Sequence, residues 1–227
     1  MSTKSRSVTA VIPVKANSSR LPGKNILPFG TETLLHSKIR QLQSTTEVQR
    51  ILVTSDSAEM LEVAESLKCD VDLRPSHFAD ESRPFPDFMD YISQKVFTTD
   101  MLWACVTSPM VGPKLYSQAI QMFPSILDQG YDSIVSLVPF RHFMFDADGP
   151  INFGTAASHR NSQDLDLLHQ FTNGIVLAPL EKVREWRYNF GPRPFRFEIA
   201  QENAIDIDTY VDYVVAKALF EEFGDLL

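Results

Sequence analysis

From the N-terminus to about residue 138, short apolar stretches alternate with longer segments whose apolar residues recur at helical spacing. The short stretches are rich in Val, Ile and Leu and predict five buried strands, at 8–14, 50–53, 69–73, 101–106 and 133–138. The amphipathic segments predict four helices, at 34–43, 58–67, 86–97 and 113–123. Strands separated by helices are typical of a doubly wound, mostly parallel α/β sheet, which binds ligands at the carboxyl ends of its strands.

The segment from residue 139 to about 193 lacks this alternation and is rich in aromatic residues and proline. One interpretation is a flap that packs on its own aromatic side chains. Another is a flap that covers a ligand site or reaches a second subunit. Beyond it, residues 195–199 and 205–207 predict extended segments, and 211–223 predict an amphipathic helix. We therefore predict one domain, 1–227, with an inserted flap or dimerisation segment at 139–193.

Composition narrows the class of protein. Of the 227 residues, 44% are hydrophobic and 22% are charged, which is enough apolar surface for a packed core. The formal net charge of −8 argues against nucleic-acid binding, although a local cation cluster could still hold one anionic ligand. The chain has no apolar run near the ~18 residues of a membrane span, and 1–7 is polar, so we expect a soluble, cytoplasmic protein. Cys69 and Cys105 lack metal-ligand spacing and are expected to be free, buried thiols.

Three cations follow the first predicted strand: Lys15, Arg20 and Lys24. The small or polar residues between them leave backbone N–H groups accessible; they are Asn17, Ser18 and Ser19. Cations and exposed amides in a loop after a strand can cradle a polyphosphate, whereas the alternative is a solvated basic loop. The loop matches neither G-x-x-x-x-G-K-[ST] nor G-x-G-x-x-G, because it contains only one glycine, Gly23.

Two carboxylates near the C-terminus, Asp206 and Asp208, alternate with Ile205 and Ile207. In an extended segment residues two apart share a face, so both carboxylates would project together. Such a pair suits Mg²⁺, which prefers oxygen ligands and substrate phosphates. The alternative is that Asp208 caps the following helix, and of the two Asp206 is the stronger candidate for an essential metal ligand.

Several short motifs resemble one enzyme family and cover nearly the whole chain. Ile12-Pro13-Val14-Lys15, Ser18-Ser19-Arg20 and Pro22-Gly23-Lys24-Asn25 are similar to the N-terminal motif of the acylneuraminate cytidylyltransferases (CMP-sialic-acid synthetases) and their relatives that activate Kdo. Further matches follow in the family's order: Val53-Thr54-Ser55-Asp56, Arg74-Pro75 with Phe78-Ala79-Asp80, Thr107-Ser108-Pro109, Asn173-Gly174 and Ile205-Asp206-Ile207-Asp208. Each match is short, but their common order makes the resemblance specific.

The resemblance implies a Rossmann-like nucleotidyltransferase that moves CMP from CTP to a nonulosonic or related 2-keto-3-deoxy sugar acid and releases pyrophosphate. It implies Mg²⁺ on Asp206 and Asp208, and a homodimer that exchanges the flap. The catalytic residues that it implies are Lys15, Arg20, Lys24 and Asp206. The nucleotide-binding residues that it implies are Pro13, Val14, Lys15, Asn17, Ser18, Ser19, Lys24, Asn25, Arg74 and Ala79. No general base emerges, since His142, His159 and His169 lie in the flap region.

The chain departs from the family pattern at three positions. Lys15 replaces an Arg, Cys105 replaces a Gln, and Leu177 replaces a Tyr. The family's residues at the last two positions face the sugar, so these changes suggest an acceptor unlike N-acetylneuraminate. Two alternatives stay open: a cytidylyltransferase for a phosphonate or phosphorylated alcohol, and a catalytically silent nucleotide-binding homologue.

Overall fold

The computed structural model describes residues 6–80 and 83–224. Its centre is a seven-stranded sheet in the order β11-β7-β10-β6-β1-β4-β5. The strands of this sheet are β1 Val8–Pro13, β4 Val48–Ser55, β5 Asp70–Leu73, β6 Asp100–Trp103, β7 Ser133–Phe140, β10 Leu168–Pro179 and β11 Pro194–Glu198. Two small hairpins complete the strands: β2 Pro28–Phe29 with β3 Glu32–Thr33, and β8 Phe145–Asp146 with β9 Gly149–Pro150.

The sheet is mostly parallel, as predicted. Strand β1 pairs in parallel with β4 and β6, β4 with β5, and β7 with β11. Strand β10 is the exception, since it runs antiparallel to both β6 and β7. The chain moves outward from β1 to β4 and β5 and then returns to the other side of β1 as β6. The strand order therefore reverses beside β1, which is where doubly wound sheets bind ligands.

Helices cover both faces of the sheet: α1 Leu34–Gln43, α2 Ala58–Ser66, α3 Phe85–Ser93, α4 Pro113–Asp128, α5 Leu180–Trp186 and α6 Tyr210–Phe223. Thr33 and Ser57 cap α1 and α2, because each side chain accepts a hydrogen bond from the first turn of its helix. One buried cluster packs on the face that carries Ile12, Leu35 and Tyr116, and a second lies on the opposite face around Met89 and Trp103. Among the described residues, none of the helices has the length and hydropathy needed to span a membrane.

All nine strands and helices predicted before residue 139 are present, with small differences at their ends. Helix α3 stops at Ser93, short of the predicted 97, and the Arg184 guanidinium donates to the carbonyls of Ser93 and Val96 at and beyond this end. Helix α4 continues past Pro124 to Asp128, where the prediction ended at 123. Pro124 removes one backbone donor, but the burial of Ile126 in the core keeps the last turn in place.

The predicted flap, 139–193, is divided by the structure. Strand β10 and helix α5 lie within this range and belong to the main body, so the excursion from the sheet spans only 141–167. The predicted extended segment at 205–207 forms no strand. It is fixed instead by one backbone hydrogen bond, from Ile207 N to Thr107 O at 2.8 Å.

Candidate active site

The sequence motifs meet at the carboxyl edge of β6, β1, β4 and β5. The four strands are parallel, so the loops that follow them emerge side by side. Strand β10 is antiparallel, and this brings its first half to the same edge. Val176 pairs with Trp103 at the end of β6, so Asn173 and Gly174 lie just beyond that strand.

The loop after β1, residues 14–25, is anchored at both ends. Val14 N donates to Thr54 O at 3.0 Å, and Ala16 N donates to Asp56 Oδ1 at 2.9 Å. The buried Asn25 closes the loop, because its Nδ2 donates to Lys15 O at 2.9 Å. Asn25 is thus placed to hold the shape of the loop in addition to any contact with a nucleotide.

Arg74 fixes the same loop from the end of β5. Its side chain is buried, its Nη2 donates to Val14 O at 2.5 Å and lies 3.7 Å from Asp56 Oδ1, and its guanidinium stacks over Phe88. Burial lowers the pKa of Arg74. Its Nε is buried without a hydrogen-bond partner among the described residues. Ala79 lies further along, at the end of a 3-10 turn, where its N–H donates to Ser76 O.

Two of the three loop cations converge on one carboxylate. Arg20 Nη1 lies 2.7 Å from Asp208 Oδ2, and Lys24 Nζ lies 3.2 Å from Asp208 Oδ1. Lys24 also donates to Ile207 O at 2.8 Å. The structure thus brings Arg20 and Lys24 to the carboxylate pair. Of the other residues of the predicted site in this part of the chain, Pro13 ends β1, Lys15 and Ser18 are half-buried, and Asn17 and Ser19 are exposed.

Asp206 is the more buried carboxylate of the pair. Burial raises its pKa, and neighbouring Asp208 acts in the same direction, while a hydrogen bond from the Thr107 side chain lowers it. Its Oδ1 is buried and has no hydrogen-bond partner among the described residues. An unpaired buried carboxylate oxygen is costly unless a cation or donor meets it, so the site fits a divalent cation.

The carboxylate pair would supply only part of a metal coordination shell. Across residues 6–80 and 83–224, no group of three or more His, Cys, Asp or Glu side chains could hold a metal ion. Mg²⁺ commonly takes one or two carboxylates and fills its remaining positions with water and substrate phosphates.

The helix-cap alternative for Asp208 is wrong. Thr209 is the cap of α6: its side chain accepts from Asp212 N, and the Asp212 side chain accepts from Thr209 N in return. This capping box satisfies the first turn without the Asp208 carboxylate, which faces the cations.

Residues after β6 and in β10 line the other side of the site. Asn173 has a left-handed backbone, with φ of 55°, and its Nδ2 lies 3.5 Å from Cys105 Sγ. Gly174 is closely packed, since a Cβ there would lie 2.8 Å from Val111 Cγ2. We call residues 105–111 with 173–174 the acceptor-side wall.

Two expectations about this side of the molecule can be compared with the structure. Leu177 does not face the site, because it is fully buried in β10 between Leu102 and Ile134. Both cysteines are free, as predicted, although each is half-buried and not fully buried. Burial raises the pKa of Cys69 to about 11 and that of Cys105 to about 12, so neither is a ready nucleophile.

Three residues that contribute to this arrangement were not among the predicted site residues: Asp56, Thr107 and Lys38. Asp56 and Thr107 lie inside quoted motifs: Asp56 directly follows β4, and Thr107 lies in the loop after β6, four residues beyond Trp103. That position was the available signal. Lys38 had a different signal, since it interrupts the apolar stripe of α1 between Leu35 and Ile39.

A sequence model described as cytidylyltransferase matches residues 9–142, which is more than half of the chain. The chain belongs to the cytidylyltransferase family. The resemblance stated above to the acylneuraminate enzymes is thereby confirmed, and so is its consequence for the fold.

Individual members of the cytidylyltransferase family extend this result. N-acylneuraminate cytidylyltransferase A of Danio rerio is 25% identical over 230 residues, which cover 97% of this chain and 52% of the fish protein. CMP-N,N'-diacetyllegionaminic acid synthase of Legionella pneumophila is 27% identical over 231 residues, covering 94% of this chain and 96% of that protein. The chain thus spans about half of the first relative and almost all of the second.

Solved structures show the same fold. A CMP:2-keto-3-deoxy-manno-octonic acid synthetase in complex with CTP has a TM-score of 0.67 at 15% identity and covers 95% of this chain and 99% of its own. A 4-diphosphocytidyl-2C-methyl-D-erythritol synthase has a TM-score of 0.68 at 12% identity, covering 96% and 100%. At these identities the likeness concerns the fold alone.

Proposed function

We propose that this protein transfers CMP from CTP to a nonulosonic or related 2-keto-3-deoxy sugar acid and releases pyrophosphate. The observation that carries the proposal is the convergence of Arg20 and Lys24 on Asp208, beside the unpaired Oδ1 of Asp206. In this proposal, the cations would bind a triphosphate next to carboxylate oxygens that would bind a metal. The relatives named for acylneuraminate and diacetyllegionaminic acid support the sugar-acid acceptor.

In the proposed reaction, an acceptor hydroxyl attacks the α-phosphorus of CTP and loses its proton to solvent water, while the bond from that phosphorus to the bridging oxygen breaks and pyrophosphate leaves. Such chemistry asks the protein mainly for positioning and charge neutralisation. Lys15, Arg20 and Lys24 would neutralise the β- and γ-phosphates. Asn25 and Arg74 would keep the loop in a conformation that points its amides and cations at the nucleotide.

Asp206 and Asp208 would hold Mg²⁺, and the unpaired buried oxygen of Asp206 supports this assignment. When bound, the ion would supply positive charge next to the phosphate oxygens, a role that no neutral side chain can replace. Arg20 and Lys24 would then move from Asp208 to the phosphates. Ligand binding at this site is therefore an exchange of ion pairs.

The flap supports a homodimer as a further part of the proposal. Its apolar residues pack partly on one another, because the rings of Phe143 and Phe145 both contact Phe153. Phe145 nevertheless stays 64% exposed and Ile151 57% exposed. Exposed aromatic clusters of this kind are typical of interface cores, which supports the interpretation of the flap as a contact with a second subunit.

A panel of acceptors with CTP and Mg²⁺, read by pyrophosphate release, tests the function. N-acetylneuraminate, diacetyllegionaminate, pseudaminate and Kdo form the sugar-acid arm, and 2-C-methylerythritol 4-phosphate and a phosphonate form the other. Asp206→Asn is the matched control, because it removes charge and preserves shape. Release with a sugar acid supports the proposal. Release only in the second arm overturns the acceptor class, and CTP binding without release in any arm identifies a silent homologue.

A further inference from the structure

Lys38 is a buried cation that the proposed reaction does not use. It lies on the inner face of α1 with 1% of its surface exposed. Lysines are almost never fully buried unless their protons are taken up by acceptors. Its Nζ has three: Ser108 O at 3.0 Å, Val111 O at 3.2 Å and the Tyr116 hydroxyl at 2.8 Å.

The number of protons on each group decides which atom donates in each of these hydrogen bonds. An ammonium has three protons and no lone pair, so it donates to all three oxygens. The Tyr116 hydroxyl accepts from Lys38 and keeps its own proton, which it donates to Gly174 O at 3.3 Å. Tyr116 is itself fully buried on α4, so this relay is shielded from water.

The groups held by this relay belong to the acceptor-side wall. Ser108 and Val111 follow Thr107, whose side chain bonds Asp206. Gly174 follows Asn173 and packs against Val111. One ammonium therefore ties together the two segments of the wall, whose residues lie 58 to 73 positions in the sequence from the side chains that bond them.

We propose that Lys38 is a positioning residue that sets the geometry of the acceptor-side wall through its bonds to the 108–111 segment and, by way of Tyr116, to Gly174. Its effect on acceptor binding rests on the proposed function, whereas its effect on the order of the wall does not.

Protonation of Lys38 decides whether the relay is complete. A neutral amine has two protons and one lone pair, so the Tyr116 hydroxyl would turn to donate to Nζ and Gly174 O would lose its donor. Burial lowers the pKa of Lys38 to about 7. The ionisable groups that face it are Tyr116 on α4 and Cys105 after β6; burial raises both of their pKa values, so both are neutral at pH 7. The wall should loosen as the pH rises through 7.

Hydrogen exchange measured by mass spectrometry on the full chain tests the relay without any acceptor. Lys38→Met removes the ammonium, Tyr116→Phe removes only the relay hydroxyl, and Lys182→Met is the exposed control. After correction for intrinsic rates, residues 170–178 should exchange roughly tenfold faster in both relay variants, as expected for the loss of about one buried hydrogen bond. The unmodified protein should show the same increase between pH 6 and 8, and the Lys38 variant no such pH dependence.

Enzyme kinetics test whether the relay affects acceptor binding. With an acceptor identified by the panel above, both relay variants should raise the KM for that acceptor and leave the affinity for CTP unchanged. Equal exchange of residues 170–178 in all variants would overturn the proposal. If Lys38→Met does not fold, Tyr116→Phe decides alone, since it retains the lysine. If no acceptor supports turnover, the exchange arm still decides, and only the proposed function fails.

Discussion

Asp208 and CTP should compete for the same two cations, and removing the carboxylate should therefore strengthen CTP binding in the absence of metal. In the structure Asp208 holds Arg20 and Lys24. A triphosphate must displace these contacts before it can use the cations. Asp208→Asn keeps the shape of the side chain and removes its charge.

The expected gain in CTP affinity depends on how far the side chains of the two cations are exposed to water. The Arg20 side chain is 63% exposed, so its ion pair is screened by water and contributes about 0.2–1 kcal/mol. The Lys24 side chain is only 11% exposed, and we assign about 1 kcal/mol to its contact with Asp208. Together they amount to about 1–2 kcal/mol, which corresponds to roughly 5- to 30-fold tighter CTP binding without metal.

Calorimetry with CTP in the presence of EDTA measures this affinity. The matched control is Asp87→Asn on α3, which changes the net charge by the same amount. It breaks an exposed ion pair in which Arg187 Nη2 lies 2.7 Å from Asp87 Oδ1. With Mg²⁺ present, Asp208→Asn should instead lose most of its turnover. A metal-free affinity that is unchanged from the control, or weaker than it, would refute the exchange of ion pairs.

Three further predictions follow from the same structure. Asp206→Asn should melt near the native temperature, because it removes one charge from a repelling pair, and its pyrophosphate release should fall by orders of magnitude, because that charge would bind the metal. Thr209→Ala should do the reverse: it should lower the stability by about 0.5–2 kcal/mol and retain turnover. Urea unfolding should show that the free energy of unfolding of the unmodified protein, relative to Lys38→Met, rises by up to about 1.4 kcal/mol per pH unit above pH 7. The reason is that between pH 7 and 10.5 the unfolded chain binds a proton that the folded chain has released. A difference between the two proteins that does not vary with pH would contradict this. Light scattering should give twice the 25.7 kDa chain mass at micromolar concentration, and Phe145→Ser in the flap should shift it toward the monomer; a monomer in both would exclude the dimer.

Helices and strands with a regular pattern of apolar residues were predicted well from the sequence. Helix α1 has the predicted bounds because its apolar residues recur regularly and Thr33 caps its start. Strand β10 was missed because its first half mixes polar residues with aromatic ones, whereas its second half is buried on both faces. Its neighbours in the sheet, not its own pattern, make it a strand.

The candidate site was predictable only in part for a related reason. The motifs pointed to Lys24, Asn25 and Asp206, which lie near one edge of the sheet in the structure, since strand ends can be read from the sequence. The contact between Arg20 and Asp208 joins residues 188 positions apart, and no local pattern reports it. The same holds for Lys38, whose role depends on carbonyl groups of a distant loop.

The way in which the excursion 141–167 leaves the sheet has a consequence for how this protein could diversify. Phe140 at the end of β7 is paired directly with Leu168 at the start of β10, so the ladder closes the base of the excursion. Closing a longer or shorter loop between two paired residues changes the free energy of folding only slowly with loop length. Insertions, deletions or replacement of this segment should therefore be tolerated by the sheet, so the segment proposed to meet a second subunit can change in evolution without altering the proposed site at the carboxyl edge.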